Sequence, residues 1–270
     1  MRRGVAAAKI NLALVVGPKR SDGKHELATV YQRVTLADDI EVRRADRIEV
    51  TGFADDTIVA RALAELSANG DGKLAAQIVK RIPVAAGLGG GSADAAATLQ
   101  LGNTLLRNPL PAERLDEIAR QLGADVPFFL RDGPQLGTGD GTDLEPVDLP
   151  QDYWILLVLP HGATKPSTAA VYARFDERSG TEGFDARRRA LLDAVRAVRR
   201  PRDLAALPPN DLASSPLAAE LRDLGAFRAD VTGAGPAVYG LFLHRAAATQ
   251  AQSRIGHHGP TWLTAPAWYV

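Results

Sequence analysis

Four glycines fall within the five positions Gly87-Leu88-Gly89-Gly90-Gly91, followed at once by Ser92-Ala93-Asp94 and an alanine run. Glycine gives up more chain entropy on ordering than any other residue, so this density implies that the backbone itself has a task. Without side chains its amide N–H groups approach a ligand closely and form a concave array of donors for anionic oxygens. Ser92 is a favoured N-cap type and Ala95 to Leu101 is good helix material. The loop is therefore expected to open onto a helix N-terminus, where unpaired amides and the positive dipole end face one spot. The chemistry such a segment supports is the holding of a di- or triphosphate. It is neither of the two commonest cradles: no Gly-Lys-Ser/Thr occurs in the chain, and the sixth position counted from Gly87 is Ser92 rather than glycine. A flexible glycine turn between a strand and a helix is the plainer alternative.

Other polar residues interrupt apolar segments. Val5 to Val16 reads as a strand with Lys9 and Asn11 on one face and Ile10 and Leu12 on the other. The polar pair either reaches into a cleft or lines the solvated face of an edge strand. Asp125 is the sole acid between Ala124 and Leu130. If buried it needs a partner, and otherwise it caps a short helix beginning at Val126, with Pro127 in the first turn. His25 belongs to a turn, Arg20 to Leu27, where a histidine is ordinarily solvated, and Lys80 lies in a strand from Leu74 to Ile82 that leads into the glycine loop, where an exposed strand lysine is the simpler reading.

The elements that must position these groups follow from periodicity. Gln32 to Leu36, Ile40 to Val42 and Arg47 to Thr51 read as strands, and Thr57 to Ala68 as a helix packed on them. Leu115, Ile118, Ala119 and Leu122 mark a helix stopping at Gly123, and Gly133 to Gly141 a loop and hairpin. Trp154 to Leu159 is continuously apolar and reads as a central strand opening a second domain, so the boundary is expected near Leu149-Pro150-Gln151, giving domains 1–150 and 151–270. Thr168 and Tyr172 share a helix face, as a capped helix with Tyr172 at an interface or as part of a site. Phe184 to Arg200 is amphipathic with a solvated arginine face, and Gly233 lies in a turn between two strands, Ala229 to Gly240. His257-His258 lacks further metal-ligand spacing and is assigned no role.

Composition narrows the class. Of the 270 residues 46% are hydrophobic and 24% charged, which suits a globular protein. Lysine plus arginine and aspartate plus glutamate number 32 each, so no basic excess exists to hold a nucleic acid, and a small-molecule partner is expected. There is no cysteine, which excludes disulfides, thiolate metal sites and thiol nucleophiles and suits a cytoplasmic setting. The apolar run after Arg3 is too short for a signal segment, and no stretch approaches the roughly 20 apolar residues of a membrane span.

Pro83 to Ala96, written Pro-x-x-x-Gly-Leu-Gly-Gly-Gly-Ser-x-Asp-Ala-Ala, resembles the ATP loop of the GHMP kinases. The Gly-Gly-Gly-Ser-x-Asp variant is most similar to the branch that phosphorylates 4-diphosphocytidyl-2-C-methyl-D-erythritol for isoprenoid synthesis. The resemblance continues through Lys9-Ile10-Asn11-Leu12, Asp22-Gly23-Lys24-His25, Leu122 to Phe129, Lys165 to Tyr172, Asn210-Asp211-Leu212 and Thr232 to Pro236. It implies an α+β fold of two domains, ribosomal-protein-S5-domain-2-like then ferredoxin-like, with the active site in the cleft between them. It further implies ATP and Mg²⁺ as cofactors. Lys80, Pro83, Gly87, Leu88, Gly89, Gly90, Gly91, Ser92 and Ala93 would hold the nucleotide, and Ser92 is the nearest protein oxygen for the metal. Asp125 would serve as base, with Lys9 supplying positive charge beside it and the moving phosphoryl group. Asn11, His25, Thr168, Tyr172 and Gly233 would face the acceptor. The chain departs from the family pattern at Ala7, where proline is usual, at Lys24, where an aromatic residue is expected against cytosine, and at Asp56-Thr57, where Asn-Leu lies near adenine. A kinase of another small alcohol, of the homoserine or mevalonate type, and a non-catalytic nucleotide sensor on the same fold are the competing expectations.

Overall fold

The computed structural model describes residues 1–53, 57–68, 72–163 and 167–267, so Asp56, Lys165 and Pro166 of the segments quoted above lie outside the described residues. Two long strands, β1 (Arg2–Lys19) and β2 (His25–Ala45), form an antiparallel hairpin. The short strand segments expected at Gln32 to Leu36 and Ile40 to Val42 are one strand, because β2 has partners along most of its length. Its second edge is shared by β4 (Lys73–Val79), which pairs with Asp39–Ala45, and β5 (Gln135–Gly139), which pairs with Leu27–Tyr31. With β3 (Glu49–Thr51) and β6 (Asp143–Pro146) they complete a six-stranded sheet in the order β3-β4-β2-β5-β6, β1 lying beside β2. Helices α1 (Thr57–Ser67), α2 (Gly90–Asn103), α3 (Ala112–Leu122) and the single turn α4 (Val126–Phe129) enclose one apolar cluster with this sheet.

A second sheet, β10-β7-β9-β8, is antiparallel, with β7 (Trp154–Val158) and β9 (Val238–Phe242) inside and β8 (Arg228–Val231) and β10 (Thr261–Thr264) at the edges. It carries α6 (Phe184–Ala197), α7 (Pro216–Asp223) and α8 (Arg245–Ile255), whereas α5 (Thr168–Glu177) packs through Val171 and Phe175 on the ends of β1 and β2. The two sheets share a core: Ile10 and Leu12 of β1 pack in the same cluster as Ile155, Leu157, Leu191, Tyr239 and Leu241. This explains why residues 6–17 are buried without interruption.

Strand β1 is an edge of its sheet, as one of the alternatives held, yet its outer edge is not solvated. Lys9 N donates to Leu88 O in the glycine loop (2.9 Å), Asn11 N to Thr232 Oγ1 (3.0 Å) and Val16 N to Asp211 Oδ2 (2.9 Å), while Asp211 N donates back to Leu14 O. The free edge is the seam on which loop, β8–β9 turn and Asn210-Asp211-Leu212 meet. The arginine face of α6 is likewise not wholly solvated: Arg187 reaches Asp211, Val16 O and Gly180 O.

Candidate active site

The glycine loop enters α2 one turn earlier than the sequence suggests. Gly89 is the N-cap, at φ 71°, and the helix begins at Gly90, so Ser92 sits inside the first turn and does not cap it. A left-handed residue is available at Gly89 at no steric cost, and the backbone therefore turns there instead of waiting for a side-chain cap. The first intrahelical bond runs from Ala93 N to Gly89 O (2.9 Å). The amides of Gly90, Gly91 and Ser92 precede it and remain the orphan donors of a helix start. Ala93 has spent its own N–H in that bond and packs into the helical core at 2% exposure.

These donors face a cleft of about 740 Å³. Lys9, Asn11, His25, Lys80, Pro83, Gly87 through Ser92, Asp125, Thr168, Tyr172 and Gly233 all line it, and of the residues singled out in the sequence only Ala93 does not.

At its floor Lys9 is 3% exposed, and its Nζ donates to Asn11 Oδ1 (2.7 Å) and stands 3.4 Å from Asp125 Oδ2. Asn11 Nδ2 donates to Thr29 Oγ1, which donates to Ala13 O, so the amide that orients the lysine is itself fixed. Asp125 occupies the N-cap position of α4 but makes no side-chain cap bond. Its carboxylate turns to Lys9 and to the Tyr31 hydroxyl (3.4 Å), and its side chain is one-third exposed to the cleft. Burial, reinforced by the Asp125 charge, raises the Tyr31 hydroxyl well above its ordinary range, so it stays a neutral donor. Gly233 borders the same point: a methyl group there would lie 3.6 Å from Lys9 Nζ.

On the loop side, Lys80 is held between two carboxylates, Asp38 Oδ2 (2.5 Å) and Asp94 Oδ2 (2.7 Å), and is not the exposed strand lysine of the simpler alternative. Asp38 Oδ1 also accepts Ile82 N (2.8 Å), which ties the base of the loop to β2. Burial alone would lower the Lys80 ammonium, but the two carboxylates outweigh it and the net shift is upward. Burial also pushes the Asp94 carboxyl up to about 7, against the pull of Lys80. Asp94 Oδ1 is buried with no hydrogen-bond partner, so ionisation would leave an anionic oxygen without a donor.

At the other end, His25 is 6% exposed, contrary to the ordinary fate of a turn histidine. Its ring stacks on Tyr172 (centroids 4.7 Å) and meets Phe175 edge-on, and its Nε2 is 2.8 Å from Asp176 Oδ1. His25 and then Lys19 hold the Asp176 carboxyl below its usual range. Helix α5, capped by Ser167 Oγ accepting from Ala170 N, supplies this wall. Lys24 reaches Asp140 in the β5–β6 turn (2.5 Å) across the cleft mouth. Asp38, Asp140, Asp176, Thr29 and Thr232 were assigned no role from the sequence. Their partners lie tens to hundreds of residues away, and only Asp94, inside the glycine motif, carried a local signal.

Two family models match the chain: GHMP kinases N terminal domain over residues 57–133 and GHMP kinases C terminal over residues 212–261. The 4-diphosphocytidyl-2-C-methyl-D-erythritol kinase of Pelobacter propionicus is 36% identical over 282 aligned positions, covering 97% of this chain and 96% of that protein. The kinase of the same name from Mycolicibacterium vanbaalenii is 43% identical over 186 positions, 64% of this chain and 57% of the relative. A crystal structure of 4-(cytidine 5'-diphospho)-2C-methyl-D-erythritol kinase superposes with a TM-score of 0.79 at 29% identity, covering 98% of this chain and 99% of that one. Mevalonate kinase from Methanococcus jannaschii shares the fold, with a TM-score of 0.73 at 12% identity over 98% of both chains. With a relative matched from end to end and a cleft built from the residues that carried the resemblance, the chain belongs to the GHMP kinases, on the branch of the 4-diphosphocytidyl-2-C-methyl-D-erythritol kinases.

Proposed function

We propose that the chain transfers the γ-phosphoryl group of ATP to the 2-hydroxyl of 4-diphosphocytidyl-2-C-methyl-D-erythritol, a step of isoprenoid precursor synthesis. The observation that carries this reading is the meeting of Lys9 Nζ and Asp125 Oδ2, 3.4 Å apart, beside the orphan amides of α2. A strand and a single-turn helix far apart in sequence bring a cation and a carboxylate to the place where a terminal phosphate would lie. Phosphoryl transfer asks little covalent chemistry of a protein, so placement and charge supply most of the rate.

In this reading the backbone from Pro83 to Ser92 cradles the triphosphate, and Lys80, fixed by Asp38 and Asp94, holds the base of the cradle. Asp125 takes the proton of the acceptor hydroxyl as its oxygen bonds to the γ-phosphorus. The bond from that phosphorus to the β–γ bridging oxygen breaks, and ADP leaves with the electron pair. Lys9, kept in place by Asn11, stabilises charge on the phosphoryl oxygens in transit. Asn11, Thr168, Tyr172, Gly233 and His25 form the acceptor side, with His25 and Tyr172 at the nucleobase end. Among the described residues no cluster of three His, Cys, Asp or Glu ligands lies in the cleft. That fits Mg²⁺ held chiefly by phosphate oxygens with Ser92 as the nearest hydroxyl, and the ion supplies charge neutralisation between the β- and γ-phosphates when bound. We place the domain boundary at residues 150 and 151, between β6 and β7, and the enzyme in the cytoplasm. No described helix is long and apolar enough to cross a membrane.

The test is ADP release with ATP, Mg²⁺ and three acceptors: the diphosphocytidyl compound, homoserine and mevalonate. Asp125→Asn and Lys9→Ala are each expected to lower turnover by about 10²–10⁴-fold while ATP affinity stays within a few-fold. Wild-type turnover in both variants removes the assignment of the chemistry. A preference for homoserine or mevalonate removes the substrate and leaves the kinase.

A further inference from the structure

Outside the cleft, three metal-ligating side chains converge on the outer surface of the second sheet's helical layer. Glu220 of α7 and His257 and His258 of the 3₁₀ turn Gly256–His258 each offer one ligand atom, and the three atoms lie within 4.8 Å of one another. None of the three lines the cleft. We propose that they form a binding site for a divalent transition-metal ion of the Zn²⁺ class, which fastens α7 to the connection between α8 and β10.

The geometry supports this in three ways. First, the backbone of the turn is fixed. His258 O accepts His161 N (2.7 Å), Gly259 N donates to Gly256 O, and a methyl group on Gly259 would collide with Leu159 O at 2.0 Å, so the turn is pressed against the strand end after β7. Second, the donors are oriented. His257 Nδ1 lies 2.8 Å from Arg254 O, and since a carbonyl can only accept, that nitrogen carries the proton and Nε2 carries the lone pair. This is the arrangement by which a backbone carbonyl readies an imidazole for a metal. Third, His258 Nε2 and Glu220 Oε2 already approach to 2.9 Å, and the two imidazole rings lie with centroids 4.0 Å apart, so both histidines stand beside the carboxylate. A metal ion would take the place of the hydrogen between His258 Nε2 and Glu220 Oε2, with the imidazole hydrogen carried on Nδ1 instead.

Two imidazoles and one carboxylate favour Zn²⁺, Co²⁺, Ni²⁺ or Cu²⁺ over Mg²⁺, which seeks oxygen in octahedral array. Tetrahedral ligand bonds of about 2.0–2.2 Å set the donor atoms roughly 3.3–3.6 Å apart, so the His258–Glu220 pair opens slightly and the widest separation closes by up to about 1.5 Å, a movement that the exposed His257 ring can provide. Three protein ligands leave a fourth position for water. The sequence signal was the His257-His258 pair alone, and the third ligand comes from a helix that packing against the same sheet brings alongside.

The test uses the full chain without an affinity tag, freed of metal and titrated with Zn²⁺ by calorimetry and with Co²⁺ by visible absorption. One equivalent is expected to bind, unaffected by excess Mg²⁺, with a raised melting temperature. His257→Ala and Glu220→Gln are each expected to weaken binding at least about tenfold. Both positions are at the surface, so the variants fold, and ADP release by His257→Ala stays at the wild-type rate without added Zn²⁺. Absence of a saturable equivalent in the wild type overturns the proposal, as does an equivalent retained at full affinity in the doubly substituted chain.

Discussion

Alanine substitution at Gly87 and at Gly91, four positions apart in one loop, should move stability in opposite directions. Gly87 has φ 86°, and a methyl group there would sit 2.5 Å from Thr232 O and 3.0 Å from Gly235 O, both backbone atoms that cannot swing aside. The left-handed conformation costs an L-residue roughly 1–2 kcal/mol. Relief of the collision must also loosen the contacts joining loop and turn, Ala237 N to Ala86 O (3.0 Å) and Thr232 Oγ1 to Gly87 O (3.4 Å). At about 1 kcal/mol per hydrogen bond, Gly87→Ala should cost about 2–4 kcal/mol in all. For a chain of this size that lowers the melting temperature by about 5–15 °C. Gly91 lies in the first turn of α2, and its added methyl would meet only Ile58 Cδ1 at 3.7 Å, an ordinary contact. Replacing a helical glycine by alanine should stabilise by up to about 1 kcal/mol. Thermal melts without nucleotide separate the two, because any effect of either methyl on phosphate binding does not enter. Equal shifts in the two variants, or a Gly87→Ala protein as stable as the wild type, would refute the account of how the loop is seated.

Two further outcomes follow from the charged groups. Asp94 keeps its proton in the folded chain up to about pH 7, whereas in the unfolded chain it releases it near 3.8. The folded state thus holds the extra proton between those values, and stability from this group falls as pH rises through the window, by at most about 1.4 kcal/mol per pH unit. Asp94→Asn, which leaves Lys80 its bond to Asp38, should therefore gain on the wild type in urea titrations from pH 4 to pH 7, and a variant that loses ground over that range contradicts the assignment. At the cleft mouth, Lys24→Tyr removes the ion pair with Asp140 and presents a ring near the His25–Tyr172 stack. A stacked base is worth roughly 1–3 kcal/mol, so KM for the diphosphocytidyl acceptor should fall about fivefold or more with little change in kcat. An unchanged or higher KM rules out that mouth as the nucleobase end.

The parts of the molecule that were legible in the sequence are those whose determinants are local. The glycine run, the alanines of α2, the stop at Gly123 and the continuous apolar strand β7 each contain their own reason for folding as they do. Cap preference points to Ser92 because it assumes that a side chain must close the helix start, whereas Gly89 closes it with backbone alone. Lys80 and His25 were harder still. Each is an ordinary surface type in its own segment, and burial is supplied by Asp38, Asp94, Tyr172 and Asp176, of which only Asp94 is near in sequence. No spacing rule connects Lys80 to an acid 42 positions earlier in the chain. Resemblance drew Lys9 and Asp125 together, because periodicity places Lys9 on a face but says nothing of what that face meets.

What Lys9 meets follows from the outer edge of β1. Its backbone N–H binds the glycine loop at Leu88 O, and its side chain binds Asn11 and faces Asp125, so cradle, lysine and carboxylate are referenced to one strand. The second sheet attaches to that strand two residues on, through Asn11 N and Thr232 Oγ1, and the loops beside it bring Leu212, Gly233 and Ala234 to the cleft. The groups assigned to the chemistry thus sit on the first sheet and its helices, whereas those assigned to the acceptor come from both halves of the chain, Asn11 and His25 from β1 and β2 and Thr168, Tyr172 and Gly233 from beyond β7. In the proposed reading, a change in α5 or at Lys24 alters which alcohol is admitted without moving Lys9 relative to the loop. A change on β1 disturbs both at once, since the strand that carries the lysine also seats the phosphate cradle.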